Sequence, residues 1–126
     1  MAKNLLKLFI SLIVILLISI GCDKQHAKKL AGRYSCTVHG KYYLMGQYNT
    51  DTTYFEDLSI TQEDKNIVIL GQIIPVDLLW NENKYEEGSF QKYFHVQFKK
   101  DSVYISEGSS SQASNFSTVY SGLKKK

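Results

Sequence analysis

Proline, arginine and tryptophan are nearly missing from this chain of 126 residues, which holds one of each and only two cysteines. The lone arginine, Arg33, excludes the Arg-rich basic face that specific nucleic-acid recognition uses. The lone proline, Pro75, marks the one place where a strand must be an edge or an irregular connection. No acidic residue precedes Asp23. No Gly-x-Ser-x-Gly turn that would strain a serine nucleophile is present, and no internal repeat is evident. In their place stand nine Tyr and six Phe. Aromatic and β-branched richness without helical periodicity beyond the N-terminus argues for strands.

The N-terminus carries Lys3 and Lys7, then an apolar stretch from Leu8 to Ile20, then Gly21-Cys22. This is the layout of a signal-peptide n-region and h-region with a small residue before the cut. The 13 residues of this stretch would rise about 20 Å as a helix, short of the roughly 30 Å hydrocarbon core. A cleaved signal is therefore expected over a retained span. The Gly21-Cys22 pair resembles a lipobox, although Ser19 stands where that family favours Leu. The resemblance implies that the Cys22 thiol receives a diacylglycerol and that the peptide is cut before it. Two or three acyl chains anchor stably, whereas one does not. Asp23 resembles the inner-membrane retention signal of some Gram-negative lineages. The expectation here is an envelope protein anchored to the outer membrane rather than the inner.

Cleavage would leave 126 − 21 = 105 residues, one domain with a modest core. The signal holds two of the fifteen basic residues and none of the twelve acidic ones, so residues 22–126 carry 13 − 12 = +1. Residues 22–29 read as a polar tether, residues 30–123 as a β-barrel-like domain, and Lys124-Lys125-Lys126 as a frayed basic tail. With Cys22 lipidated, Cys36 has no partner for an internal bridge, and the domain must hold itself together by packing.

Within that domain Tyr34, Cys36 and Val38 alternate with Arg33, Ser35, Thr37 and His39, which predicts a first strand with one buried face. Lys41 to Thr50 reads as a loop or ragged strand. Tyr54 to Ile60 is a second strand, with Tyr54, Leu58 and Ile60 on one face. A turn at Glu63–Asn66 leads into Ile67–Leu70, closed by Gly71. Phe94, Val96 and Phe98 define another strand over Phe90–Lys99, followed by Ser102–Glu107 with Val103 and Ile105 inward. Gly108–Ser111 reads as a flexible loop, and Asn115–Leu123, with Phe116, Val119 and Tyr120, as the closing strand. The fold class is all-β: an antiparallel meander of about seven or eight short strands, closing as an up-and-down barrel or a strongly curled sheet after an N-terminal signal helix.

Leu30-Ala-Gly32-Arg33-Tyr34 is similar to the opening of the lipocalins, where Gly precedes an aromatic at the start of the first strand; here Tyr34 takes the place of the usual Trp. Tyr120-Ser-Gly122-Leu-Lys124 is similar to the closing strand of small lipocalin-like bacterial lipoproteins. The resemblance implies fold and address more than a particular activity. The domain is shorter than a full lipocalin.

The chemistry-bearing residues form no convincing catalytic or metal constellation. Cys36 and His39 lie three apart on a strand and face opposite ways, so Cys36 is expected as a small buried hydrophobe. His39 and His95 could share an ion only if their strands paired. The neighbours Glu56-Asp57 and Glu86-Glu87 diverge on a strand and read as solubilising charge. No enzyme, cofactor or metal is expected. The aromatics stand out instead. Tyr42, Tyr43, Trp80 and Tyr85 are the candidate contact surface, because Tyr and Trp stack on sugars and anchor protein partners. The expected function is a lipid-anchored, non-enzymatic domain that binds a small apolar ligand, a glycan or an envelope protein. The alternative is an envelope inhibitor of a hydrolase such as lysozyme, since Tyr34-Ser-Cys36 faintly resembles the opening of one inhibitor family.

Overall fold

The computed structural model describes residues 2–45, 48–79, 84–89 and 91–126, with the side chains of 18–21 and 48 left aside. Among the described residues one α-helix, α1 (Ala2–Leu30), leads into eight strands: β1 (Gly32–Leu44), β2 (Tyr48–Glu63), β3 (Asn66–Ile69), β4 (Gln72–Pro75), β5 (Lys84–Gly88), β6 (Lys92–Lys99), β7 (Ser102–Ser110) and β8 (Ser114–Lys124). All pairings are antiparallel, and the strands run β4-β3-β2-β1-β8-β7-β6-β5 across one sheet. The chain therefore closes on itself where β1 meets β8 and leaves its two edges, β4 and β5, facing each other. A short 3₁₀ turn, Val76–Leu79, touches both edges. The result is a curled half-barrel.

The alternation read from the sequence sets the inner face. Tyr34, Cys36 and Val38 of β1, Leu58 and Ile60 of β2, Phe94, Val96 and Phe98 of β6, and Val103 and Ile105 of β7 are all buried in one cluster. Register carries the face from strand to strand: Tyr34 opposes Leu58, Val38 opposes Tyr120, and Tyr120 opposes Ile105. Tyr54 shares that face and lies opposite Val38, but stays exposed, because β3 pairs with β2 only over Thr61–Glu63 and leaves Tyr54 on an uncovered edge.

Several expected boundaries shift. Residues 41–44 and 48–50 extend β1 and β2 rather than forming a loop, and Gly108–Ser110 extends β7. The reason is ladder pairing: Lys41 to Leu44 bond to strands on both sides, so propensity is overridden. β5 lacks alternating apolar residues and was legible only as sequence between turns. Val119 falls on the outer face, and Thr118 and Tyr120 are the buried pair. Pro75 ends the edge strand β4, as expected of a residue without an N–H.

The segment read as a tether is helical, and its end is docked. Ala27 and Leu30 are buried in the core cluster. Lys24 Nζ lies 3.2 Å from Asp64, and Gln62 Nε2 donates to the Lys24 carbonyl at 3.0 Å. The basic tail is tied down as well. Lys124 ends β8, and its Nζ donates to the Lys29 carbonyl at 2.7 Å. That cation sits on the free carbonyls at the C-terminus of α1, where the helix dipole favours it. Lys125 bonds Asp57 through its ammonium and Arg33 through its backbone N–H. By contrast the described apolar side chains from Leu5 to Leu17 are exposed. α1 is the one helix among the described residues long and apolar enough to cross a membrane, a property that signal sequences share.

The β3–β4 hairpin turns on Leu70 (φ 51°) and Gly71 (φ 78°). Two positive φ values suit the right-handed twist of a two-residue hairpin, but Leu pays for its Cβ there. Leu70→Asn is expected to raise stability by about 0.5–1 kcal/mol, seen as a higher urea midpoint at unchanged slope. An unchanged or lower midpoint would mean that the half-exposed Leu70 side chain contributes more by packing than its backbone costs.

Candidate functional site

Strand ends distant from α1 shape a different surface. On the face opposite the core, register lines up Tyr93, Gly108, Ser117, Lys41 and Asp51 across β6, β7, β8, β1 and β2. The next row holds Ser110, Asn115, Tyr43 and Asn49. Small residues on β7 and β8 form a floor, and the larger side chains of β1, β2 and β6 rise on either side. The outcome is an open groove of about 910 Å³. Its lining includes Tyr42, Tyr43, Tyr93 and Phe116, together with the amides of Asn49 and Asn115.

Tyr93 owes its position to a glycine. A Cβ on Gly108 would lie 2.8 Å from the Tyr93 Oη and 2.9 Å from Cε1, and 2.6 Å from the Phe116 carbonyl. The Tyr93 ring therefore lies down over β7 instead of standing off it, an aromatic covering a glycine on the neighbouring strand. Its other neighbour is the His95 ring, 5.2 Å away and tilted by 47°.

The charges in the groove are balanced. Lys41 stands directly opposite Asp51, and Asp51 bonds the His39 ring. Ser110 Oγ donates to Asn115 Oδ1 at 2.6 Å, which turns the Asn115 NH₂ outward as a donor pair.

A second cavity, about 340 Å³, lies on the core side and is lined by Gln72, Glu87, Lys92, Phe94, Glu107 and Phe116 among others. Burial pushes the Glu107 carboxyl above its ordinary range. The residues Tyr34, Leu58, Phe94 and Phe98 belong to the packed core, so no cavity opens among those four side chains.

Of the sequence-predicted contact residues, Tyr42 and Tyr43 both border the groove, Tyr43 from the outward face and Tyr42, its strand neighbour, with the inward parity of Tyr34 and Val38. Tyr85 does not. It packs against the core from β5, and its Oη donates to Glu87 Oε2 at 2.8 Å; inward register opposite Val96 takes it there. Trp80 lies outside the described residues. Tyr93, Asn49, Asp51 and Asn115 were not selected from the sequence. Only the outward parity of Tyr93 in β6 hinted at its role, since the other three enter through pairing of β1 with both β2 and β8.

Cys22 is exposed on α1 and Cys36 is buried, its thiol pushed up first by burial and then by Asp57 and Glu56. A protonated, enclosed thiol is a poor nucleophile. Cys36 faces the core and His39 the opposite side. β8 and β7 separate β1 from β6, which holds His39 and His95 roughly 14 Å apart at three strand spacings. Among the described residues no three His, Cys, Asp or Glu side chains converge. Comparison with protein-family models, with curated proteins and with solved structures returns no match.

Proposed function

We propose that this chain is a bacterial lipoprotein, anchored to the cell envelope through acylated Cys22, whose lipocalin-like half-barrel is a non-enzymatic binding domain. Outer-membrane attachment is the favoured address. The observation that carries the anchor is where α1 changes character. The described apolar side chains of residues 5–17 are exposed, whereas Ala27 and Leu30 are buried in the core and Lys24 and Lys29 bond to the surface of the β domain. A cut before Cys22 would remove these exposed side chains and leave about two turns of helix attached to the domain. Burying apolar side chains left in water by the fold is what a translocating or spanning segment requires.

The groove supports the binding half of the reading. It carries the Tyr43 and Tyr93 rings on one face, and a volume near 900 Å³ falls in the range of ligand sites. It also lies at the far end of β1 from the anchor. From Gly32 to Lys41 the strand rises about 30 Å, so the groove opens away from the bilayer that would hold Cys22.

The mass of the intact protein extracted from membranes tests the anchor. The expected species is residues 22–126 plus two or three acyl chains, absent from a Cys22→Ser variant. An uncleaved, unmodified chain in membranes would replace the lipid anchor with a helical span, and a soluble unmodified chain would overturn membrane attachment.

A further inference from the structure

We infer that the groove takes an uncharged oligosaccharide, laid across β7 and β8 between Tyr43 and Tyr93. The inference rests on the binding role proposed for this domain and names the ligand class. Three observations carry it.

The first is the platform. A sugar offers a face of C–H groups, and it is bound by a flat aromatic ring whose own face is accessible. Gly108 lets the Tyr93 ring lie over β7, and Tyr43 stands 46% exposed on β1. Such rings give large, rigid contact area at low entropic cost, with a phenol available to hydrogen-bond.

Spacing is the second. Tyr43 and Tyr93 stand on β1 and β6, with β8 and β7 between; their backbones are three strand spacings apart, and with the Tyr93 ring over β7 about two spacings, roughly 10 Å, remain. That exceeds one pyranose ring, so a ligand meeting both must be an oligomer. The floor between them is Ser110, Asn115 and Ser117, short side chains that leave room for rings and supply hydroxyl and amide partners.

The third is charge. The groove's lining holds one lysine and one aspartate, Lys41 and Asp51, which face each other across β1 and β2 and sum to no net charge, with Asp51 bonded to the His39 ring. Its polar groups are mainly neutral donors and acceptors, matched to hydroxyls and acetamides. A fatty ligand would desolvate the Asn49 amide, the Asn115 NH₂ and the Ser117 hydroxyl with no partner in return, at a cost.

The test uses the full chain in a zwitterionic detergent without a sugar headgroup. Cellotetraose, maltotetraose and chitotetraose are titrated in by calorimetry. At least one is expected to bind, the matching monosaccharide at least 10-fold more weakly. Tyr93→Ala and Tyr43→Ala are each expected to weaken binding about 10-fold or more. Tyr104→Ala, exposed on the same face outside the groove, is expected to leave it unchanged. Circular dichroism verifies that each variant is folded, and Tyr43→Ala carries the test if Tyr93→Ala is not. In cells, a photo-cross-linker at position 117 is expected to give an adduct destroyed by periodate. No binding by any of the three sugars, together with a protease-sensitive adduct, would overturn the oligosaccharide and leave the binding role in place. Neither binding nor any adduct would overturn both.

Discussion

Replacing Gly122 with alanine is expected to cost the domain about 3 kcal/mol, a loss in the upper range for overpacking, and to lower its Tm by roughly 10–20 °C. Gly122 sits in β8 on the inner face, between Cys36 of β1 and Val103 of β7. A Cβ there would lie 2.3 Å from the Ser35 carbonyl oxygen, 2.6 Å from Cys36 Sγ and 2.8 Å from Cys36 Cα. Two of those atoms are backbone, in the ladder that closes the first strand on the last, so no side-chain rotation relieves the contact. The β1–β8 pairing is what turns a meander into a half-barrel, and a clash inside it disturbs every strand on either side. Gly71→Ala sets the scale. Its backbone is also unusual, with φ at 78°, but nothing lies within 4 Å of the added methyl, so only the roughly 1–2 kcal/mol of left-handed strain applies. Adding Cys36→Ala to Gly122→Ala removes the sulfur contact alone and is expected to leave most of the loss. Chemical denaturation measures all three. Equal costs at Gly122 and Gly71 would mean that β1 and β8 can separate without penalty, and the closure argument would fail.

The second large effect is at Tyr34. Its side chain is 2% exposed, its ring meets Phe98 at 6.3 Å, and its Oη donates to the Leu30 carbonyl at 2.7 Å. One residue therefore joins the end of α1, the start of β1 and the centre of the core. Tyr34→Ala is expected to cost about 4 kcal/mol by cavity formation and the lost bond, a large part of a typical domain's total. Tyr34→Phe keeps the ring and loses the bond to a helix-terminal carbonyl, for about 1 kcal/mol near neutral pH.

A titration separates these contributions. Burial above all, with Asp101 and Cys36 adding to it, pushes the Tyr34 phenol up to about 12. An unfolded chain titrates it near 10. Below pH 10 both states hold the proton and the full stability is present. Between pH 10 and 12 the unfolded state releases a proton that the folded state keeps, so stability falls by about 2 kcal/mol across that window. Tyr34→Phe lacks this loss. Measured at pH 8 and pH 11.5, the wild-type protein is expected to be the more stable at the first and to lose that advantage at the second. A constant difference between the two proteins would mean that the phenol is solvated and the bond to Leu30 unimportant.

The strands that sequence alternation revealed most clearly are those with one buried face and one wet face. Tyr34-Cys36-Val38, Phe94-Val96-Phe98 and Val103-Ile105 could be placed because water on one side forces period two. β5 has no such signature. Its Lys84-Tyr85-Glu86-Glu87-Gly88 is an edge beside β6 with mostly exposed side chains, and only pairing makes it a strand. The groove was half visible. Tyr42 and Tyr43 were picked out as aromatics free to stack on a ligand or anchor a partner, whereas Tyr85 carried the same signal and packs, half-buried, against the core. Composition cannot distinguish them, because the deciding quantity is the face each takes in its register.

Residues near one another in the chain determined the all-β class, the alternating faces, the single proline at an edge and the apolar N-terminal segment ending at Cys22. Hydrophobic periodicity, turn chemistry and targeting signals are local properties, readable in windows of ten or twenty residues. Tertiary structure alone decided that β1 closes on β8, that residues 23–30 dock as helix, that Lys124 sits on the end of α1, and that Tyr43 and Tyr93 face one groove across four strands. Each joins residues tens of positions apart. Which distant partners meet depends on how all the strands share one buried face, and no local pattern contains that information.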